Sequence, residues 1–257
     1  MDLRTRAQTL LDLHTAPELL TVVNTWDAVS TQIVSGVDGI RAIATASHSI
    51  ASMYGYEDGE NIPVDLMIEA VGRIVAATDL PVTADLEAGY GDPGETVRKA
   101  IGVGVVGANL EDQVKPLPDA VAAVEAVVKA GEAEGIPFVL NARTDVVAKA
   151  GDRPHDEVIA DAIERGKAFL DVGAPVVFVP GPLSEDDVRA LVDDWGPQRL
   201  TTIGYPGSIP LARQAELGVA RVSYGPFSQS VALMALQDLA QDVVAGGGLP
   251  SDFRVLN

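Results

Sequence analysis

The chain contains no cysteine, few aromatic residues and few basic ones. The absence of cysteine excludes disulfide bonds, thiolate metal sites and cysteine nucleophiles, and it fits the cytoplasmic location that we expect. Aromatic residues make up only 5% of a chain that is 47% apolar, so we predict a core built mainly from Val, Ala, Leu and Ile. No apolar run approaches the roughly 20 residues that span a bilayer. The N-terminal residues also lack the apolar segment of a signal peptide.

Basic residues are outnumbered, with 18 Lys and Arg against 37 Asp and Glu, and the formal net charge is -19. A surface this acidic repels nucleic acids and anionic membranes, so we expect neither as a partner. Solubility of the outer helices explains most of the acids. It does not explain the few that follow directly after apolar runs, and those are candidates for a functional site.

Short apolar runs alternate with longer amphipathic stretches along the whole chain. We predict strands at 19–24, 40–46, 81–86, 107–111, 137–143, 175–180, 199–203 and 220–224. We predict helices at 26–35, 63–77, 93–103, 117–134, 154–172, 184–194, 208–217 and 227–245, with an extra helix at 3–13 ahead of the first strand. Eight strand-helix units predict the α/β class and a (β/α)8 TIM barrel, as one domain over 1–257. An open doubly wound sheet is the main alternative, and it would be expected to alternate less evenly.

Helix-end signals agree with these boundaries. Asp92 and Pro93 form an N-cap followed by a proline at the first helical position. Ser184 precedes a run of acids in a first turn, where the helix dipole favours negative charge. Glycines at 135, 173 and 218 are predicted to end helices.

Charged residues lie at the ends of three neighbouring predicted strands. Asp85 and Glu87 follow the first of these runs, Glu111 ends the second and Arg143 ends the third. The C-terminal ends of barrel strands form one rim, where barrel enzymes keep their sites. Three carboxylates without cysteine or histidine favour Mg2+ or Mn2+ over zinc. The alternative is that these acids form a buried salt-bridge layer with the arginine.

Arg143 and the turn after the second strand are candidates for anion binding. The guanidinium of Arg143 can hold a carboxylate through two hydrogen bonds, or it can serve only as a partner for Asp145 or Glu111. The Thr45-Ala46-Ser47 turn offers hydroxyl and backbone N–H donors, although it is equally an ordinary polar loop.

Two further polar residues follow the same strand. His48 is a candidate acid or base, or a residue that only supports the site through a hydrogen bond. Asp58 lies in the glycine-flanked segment 55–59, either as a plain turn residue or as part of a loop that folds over the rim. We interpret the other histidines, His14 and His155, as surface or helix-start residues. The segment 203–208 only weakly resembles a phosphate-binding loop.

Several segments together resemble the isocitrate lyase/phosphoenolpyruvate mutase superfamily. They are Asn24-Thr25-Trp26-Asp27-Ala28, Thr45-Ala46-Ser47, Gly55-Tyr56-Glu57-Asp58-Gly59, Ala84-Asp85-Leu86-Glu87-Ala88-Gly89-Tyr90-Gly91, Leu110-Glu111-Asp112-Gln113 and Asn141-Ala142-Arg143-Thr144-Asp145. The resemblance implies a (β/α)8 barrel enzyme that uses Mg2+ to stabilise a pyruvate-type enolate formed from a small carboxylic acid. It also implies a homo-oligomer, dimer or tetramer, in which the last helix is exchanged between subunits.

The resemblance also implies roles for individual residues. Asp85 would be the main metal ligand, with Asp58, Glu87 and Glu111 around it, mostly through water. The substrate would contact Trp26, Thr45, Ala46, Ser47, Asp85 and Arg143. The enolate would be protonated by His48, by Tyr90 or by a metal-bound water, with Arg143 as a further catalytic residue.

The chain departs from the family pattern at three places. The cysteine loop of the lyases is missing after Glu111, Pro180-Gly181 replaces a glutamate near the sixth strand, and Lys115 only faintly matches the lysine gate of the mutases. We therefore expect a Mg2+-dependent lyase or decarboxylase that cleaves a C–C bond of a small 2-oxo or 2-hydroxy acid. The alternatives are P–C bond chemistry of the phosphonopyruvate hydrolase or phosphoenolpyruvate mutase type, and a non-catalytic keto-acid binder.

Overall fold

Nine parallel strands lie side by side in the computed structural model, which describes residues 2–256. The strands are β1 (Leu20–Val22), β2 (Asn24–Thr25), β3 (Ile43–Thr45), β4 (Val82–Asp85), β5 (Gly107–Glu111), β6 (Val139–Arg143), β7 (Val176–Phe178), β8 (Leu200–Ile203) and β9 (Arg221–Ser223). Their order is β1-β9-β8-β7-β6-β5-β4-β3-β2. Because β1 and β2 are consecutive segments at the two edges, the sheet curls into a nearly closed barrel. The predicted (β/α)8 fold is confirmed, with the first strand split in two.

The helices lie outside the strands, as the alternation predicts. They are α1 (Leu3–Thr15), α2 (Ala28–Ser35), α3 (Ser47–Met53), α4 (Val64–Ala76), α5 (Pro93–Gly102), α6 (Leu117–Ala133), α7 (His155–Asp171), α8 (Glu185–Trp195), α9 (Leu211–Glu216) and α10 (Phe227–Val244). The short helix α3 was not predicted, because its residues were interpreted as a loop. The other boundaries differ from the prediction by at most three residues.

Asn24 joins the two edges of the sheet. Its side-chain Nδ2 donates to the carbonyl of Thr45, and its Oδ1 accepts from the backbone N–H groups of Tyr224 and Gly225 at 2.9 and 2.8 Å. One buried amide therefore satisfies three backbone groups that the break between β1 and β2 would otherwise leave unpaired.

The predicted helix-end signals hold in the structure. The side chain of Asp92 accepts from the N–H of Glu95, with Pro93 as the first helical residue. Ser184 and Asp187 form a reciprocal capping box at the start of α8. Glycines 135, 173 and 218 all have positive φ directly after helices, as left-handed C-terminal caps require.

Helix α1 closes the bottom of the barrel, opposite the rim at the strand C-termini. A Cβ built on Gly107 in β5 would lie 2.7 Å from both Leu10 Cδ2 of α1 and the backbone oxygen of Val139 in β6, so a larger residue would force the helix and the strand pair to shift. His14, on the same helix, is fully buried, and its Nδ1 lies 2.8 Å from the carbonyl oxygen of Leu10. The interpretation of His14 as a surface residue was therefore wrong, because α1 packs across the bottom of the barrel and this buries the His14 side chain.

Burial gives His14 a testable effect on stability. Burial lowers the pKa of its imidazole to about 3, and the charge of Arg221 acts in the same direction. Below the ordinary pKa near 6.5, the unfolded chain binds a proton at this imidazole and the folded chain does not. The free energy of unfolding therefore decreases as the pH is lowered. We expect His14→Gln to remove this loss, which is worth about 1.4 kcal/mol per pH unit.

The measurement is urea unfolding of both proteins between pH 7.5 and 4.5. Every acid is common to the two chains, so the difference between their unfolding free energies isolates His14. Parallel pH curves would contradict the prediction.

The last helix, α10, leaves most of its surface uncovered. Only Gln229 is buried along its 18 residues, and its large exposed apolar side chains are Phe227, Val231, Leu233, Met234, Leu236, Val243 and Val244. Within residues 2–256, no helix is long and apolar enough to cross a membrane.

Candidate active site

A cavity of about 270 Å3 opens at the C-terminal rim of the strands. It is lined by Asn24, Ala46, Ser47, His48, Asp58, Asp85, Asn109, Arg143, Phe178, Pro180, Ile203, Ser223, Gly225, Pro226 and Phe227. Six of the residues proposed from the sequence lie together here: Ala46, Ser47, His48, Asp58, Asp85 and Arg143. The volume suits a small molecule rather than a polymer.

Asp85 is held in the cavity by the turn that follows β3. Its Oδ2 accepts hydrogen bonds from the backbone N–H of Ser47 at 3.2 Å and from the Ser47 hydroxyl at 2.9 Å. The Asp85 backbone N–H donates to the hydroxyl of Thr45 at 2.9 Å. The Thr45–Ser47 turn therefore positions the carboxylate, and this use of its donors was not foreseen from the sequence.

Asp58 and His48 face the same cavity from its open side. The Ser47 hydroxyl lies 3.5 Å from Asp58 Oδ1, and His48 Nδ1 lies 3.6 Å from Asp58 Oδ2. Both side chains are about half exposed, at 49% for Asp58 and 55% for His48. The loop that carries Asp58 therefore reaches the rim, as one of the two sequence interpretations expected.

Arg143 is fixed from two sides by acids. Its Nε donates to Asp145 Oδ1 at 2.7 Å, and its Nη1 lies 3.1 Å from Glu111 Oε2. The guanidinium carbon also lies 6.0 Å from the centre of the Phe178 ring, within cation–π range. These contacts leave the second terminal nitrogen, Nη2, as the group of the fork that neither acid engages.

Glu111 lies behind Arg143 and does not line the cavity. Burial raises the pKa of its carboxyl group to about 7, against the opposing effect of the Arg143 charge. Asp145 is completely buried and is also 2.7 Å from Lys149 Nζ. Of the three acids in the salt-bridge layer considered from the sequence, only Glu111 pairs with Arg143, whereas Asp85 bonds Ser47 and Glu87 bonds Tyr90.

Glu87 and Tyr90 form a clasp with Glu60 at the edge of the site. The buried Glu87 carboxylate accepts from the Tyr90 hydroxyl at 2.6 Å and from the Glu60 backbone N–H, while the Glu60 carboxylate accepts from the Tyr90 backbone N–H. Burial, followed by the hydrogen bond to Glu87, raises the pKa of Tyr90, and burial raises that of Glu87. Neither side chain lines the cavity. Glu60, which the sequence analysis did not single out, joins the Asp58 loop to this turn.

The turn of the clasp requires glycine at one position. Gly89 has φ +94°, and a Cβ there would meet Pro93 at 2.6 to 2.7 Å. Glu60, Glu87 and Tyr90 themselves have positive φ, from 52° to 62°, which is uncommon for residues with a side chain. The three residues thus share an uncommon backbone conformation, and the hydrogen bonds between them hold it in place.

Trp26 lies away from the main cavity. It lines a separate groove of about 370 Å3 between α2, α3 and α4, with Asp27, Met53, Tyr54 and Arg73 among its neighbours. Trp26 therefore does not line the cavity that holds Asp85 and Arg143, and its contact with substrate stays a prediction.

Three residues that line the cavity were not singled out in the sequence, namely Asn109, Phe178 and Phe227, and Ile203 was named only as part of the segment 203–208. Asn109 precedes Glu111 by two positions, so strict strand alternation would have found it. The same alternation connects Phe178 to Pro180 and connects Ile203 to Thr201, whereas Thr202 points outward to Gln214. Phe227 carries no comparable signal, because it enters the site from the first turn of α10.

Comparisons with known proteins agree with this architecture. The family model described as phosphoenolpyruvate phosphomutase matches residues 10–244. An uncharacterized protein of Mycobacterium tuberculosis is 31% identical over 241 residues, which cover 93% of this chain and 90% of the relative. The 2,3-dimethylmalate lyase of Eubacterium barkeri is 27% identical over 250 residues, which cover 91% of this chain and 84% of that enzyme.

Solved structures and further relatives give the same result. The crystal structure of a candidate phosphonomutase from Burkholderia cenocepacia is 36% identical, with a TM-score of 0.86, and the match covers 96% of this chain and all of that one. Other relatives are named as 2-methylisocitrate lyases and an oxaloacetate decarboxylase. The relatives thus include lyases and decarboxylases of small carboxylic acids beside phosphonomutases. By its fold and its matches, this chain belongs to the isocitrate lyase/phosphoenolpyruvate mutase superfamily.

Proposed function

We propose that the protein is a Mg2+-dependent lyase or decarboxylase. Its substrate is a small 2-oxo or 2-hydroxy carboxylic acid, and cleavage of a C–C bond leaves an enolate of the pyruvate type. The relatives that are named as lyases and decarboxylases support the reaction class.

The observation that carries the proposal is that Asp85 and Arg143 line the same cavity. A carboxylate suited to a cation and a guanidinium suited to an anion both line this space of about 270 Å3. A small anionic acid chelated to a divalent cation matches both charges at once.

The donor set fits Mg2+ or Mn2+. The acids that line the cavity, Asp85 and Asp58, offer only oxygen, which hard cations prefer. In the part of the chain that the structure describes, no three acid or histidine side chains come close enough to hold an ion directly. That fits Mg2+, which keeps several waters and binds through one or two carboxylates. The bound cation supplies the positive charge that stabilises an enolate oxygen.

The chain's own residues then perform defined tasks. Arg143, held by Asp145 and Glu111, binds the substrate carboxylate through Nη2. Ala46 and Ser47 contact the substrate from the neighbouring wall, with the Ser47 donors shared between Asp85 and the ligand. Phe178 and Phe227 exclude water from the apolar side of the cavity, and this exclusion strengthens the polar contacts.

The enolate must take up a proton to give the product, and because the chain has no cysteine another group must deliver it. His48 lines the cavity beside Asp58, so we propose it as the group that delivers the proton to the enolate. Tyr90 stays a weaker candidate, because its hydroxyl donates to Glu87. We assign Glu87 and Glu111 to support of the metal site from its outer side.

The test is release of pyruvate or CO2 from a panel that contains oxaloacetate, substituted malates and phosphonopyruvate. We expect turnover of at least one carboxylic acid with Mg2+ or Mn2+, and none after addition of a chelator. Tight oxalate binding with no turnover of any acid would instead identify a non-catalytic keto-acid binder.

A second candidate function is P–C bond chemistry. It is favoured by the similarity to the candidate phosphonomutase structure. It is disfavoured by the cavity lining, where Arg143 is the single Lys or Arg among the described residues. Phosphorus NMR of phosphonopyruvate incubated with the protein decides between the two candidates.

We further propose that α10 packs on a second copy of the chain in a homo-oligomer. A helix that is apolar on nearly all sides and buries a single residue is not stable alone in water. We expect Leu236→Glu, which places a charge in this contact, to reduce the assembly to monomers in light scattering at micromolar concentration. Asp238→Asn, on the same helix, is the control. A wild-type monomer, or an unchanged mass for Leu236→Glu, would contradict this proposal.

A further inference from the structure

A fully buried arginine lies beneath the cavity floor, inside the barrel. Arg221 of β9 is 1% exposed. It lies two residues before Ser223, which lines the cavity, so both side chains point inward along the strand. Its register partner Thr201 is likewise two residues before Ile203, another lining residue. The guanidinium therefore occupies the next level down from the site.

The neutral polar side chains at this level hydrogen-bond to one another and not to Arg221. The Thr201 hydroxyl donates to Asn141 Oδ1, and Asn141 Nδ2 donates to Asn109 Oδ1, both at 2.7 Å. Within residues 2–256, none of the three guanidinium nitrogens of Arg221 has a hydrogen-bond partner. A buried charge without a partner is expensive, and such an exception needs an explanation.

Among the described residues, no neighbour forms an ion pair or a hydrogen bond with the guanidinium of Arg221. On the lower side, His14 Nδ1 must carry the proton that the Leu10 carbonyl accepts, so Nε2 is a neutral lone pair. On the upper side, the acid whose charge acts on Arg221 is Asp85. Burial lowers the pKa of Arg221 to about 10, which leaves it positively charged at neutral pH.

We propose that Arg221 determines the charge specificity of the cavity: from below, its unpaired positive charge favours dianionic ligands and disfavours additional cations. This inference rests on the proposed function, in which the cavity takes a carboxylic acid together with a divalent cation. Arg221 touches neither ligand. It acts through its field, which is weakly screened inside the barrel.

A field effect has two signatures that a packing defect lacks. Its effect on the logarithm of affinity is proportional to ligand charge, and it has opposite signs for anions and cations. In Arg221→Met we expect the affinity for pyruvate to fall roughly tenfold and that for oxalate roughly a hundredfold. We expect Mn2+ in the absence of oxalate to bind as tightly as before or more tightly.

The experiment is calorimetry of Mn2+ alone, and of oxalate and pyruvate at saturating Mn2+. Arg221→Lys keeps the charge, and we expect it to retain the oxalate affinity of the wild type. Arg98→Met, at an exposed site on α5, makes the same change in net charge and should have no effect. Replacement of a buried charge by an apolar side chain of similar volume is often tolerated, so Arg221→Met should fold. Arg221→Gln is the second neutral variant if circular dichroism shows that it does not.

The outcomes separate this inference from the proposed function. If the wild type binds neither Mn2+ nor oxalate, the proposed function fails. If the wild type binds both and Arg221→Met or Arg221→Gln binds oxalate equally well, the inference on Arg221 is overturned and the function stands. A parallel loss of Mn2+, pyruvate and oxalate affinity would also overturn it, because that pattern indicates a structural role.

Discussion

Asp85→Asn is expected to abolish metal-dependent turnover while the barrel remains folded. Asn keeps the shape of the side chain and an oxygen that still accepts from the Ser47 N–H and hydroxyl. It removes the negative charge that would attract the cation and, with it, the stabilisation of an enolate. A metal ion supplies several kcal/mol of such stabilisation, so we expect kcat/KM to fall by about a thousandfold or more.

The measurements for Asp85 are the rate with the best acid of the panel and Mn2+ binding by calorimetry. Asp79→Asn is the matched control, because it makes the same chemical change at a fully exposed position. We expect the control to retain both activity and Mn2+ binding. A variant at position 85 that keeps full Mn2+ affinity would rule out Asp85 as a metal ligand.

The positions that could be predicted from the sequence are those where chemistry and chain order coincide. Apolar runs that end on Asp85, Glu111 and Arg143 predicted a shared rim, and the structure brings these three residues to adjacent strands. Capping signals such as Asp92 followed by Pro93 correctly predicted where helices begin. Local sequence is sufficient for such features, because their hydrogen bonds close within a few residues.

The features that were missed depend on contacts between distant segments. His14 looks like an ordinary residue near a helix end, and its burial follows only from the packing of α1 across the barrel bottom. Glu60 resembles a solvent-exposed loop acid, although its carboxylate bonds the Tyr90 N–H 30 positions further along the chain. Arg221 would be expected to end with its charge in water, and only the barrel's closure shows that it cannot. No local pattern records such long-range packing.

Arg143 is expected to support both stability and substrate binding, and two variants separate these roles. Arg143→Met removes the cationic partner of Glu111 and one of the two cationic partners of the buried Asp145. Loss of one partner from a buried ion pair typically costs about 3 to 5 kcal/mol, so we expect a decrease of this size in the free energy of unfolding at pH 8. Arg143→Lys retains the charge, and we expect it to restore most of this stability. It lacks the planar fork, so kcat/KM should remain about a hundredfold below that of the wild type.

The pH dependence of the free energy of unfolding should show how much of the stability loss in Arg143→Met comes from the ion pair with Glu111. A carboxyl group whose folded pKa is raised, to about 7 for Glu111, stabilises the fold at low pH and loses this contribution as pH rises from 4.5 through 7. Removal of the Arg143 charge raises that pKa further. The stability difference between Arg143→Met and the wild type should therefore shrink between pH 8 and pH 5 in urea unfolding without metal. The double variant Arg143→Met/Glu111→Gln cannot ionise at position 111 and should lose this part of the pH dependence. If the difference between the single variant and the wild type were constant with pH, the ion pair with Glu111 would not be what Arg143 contributes to the fold.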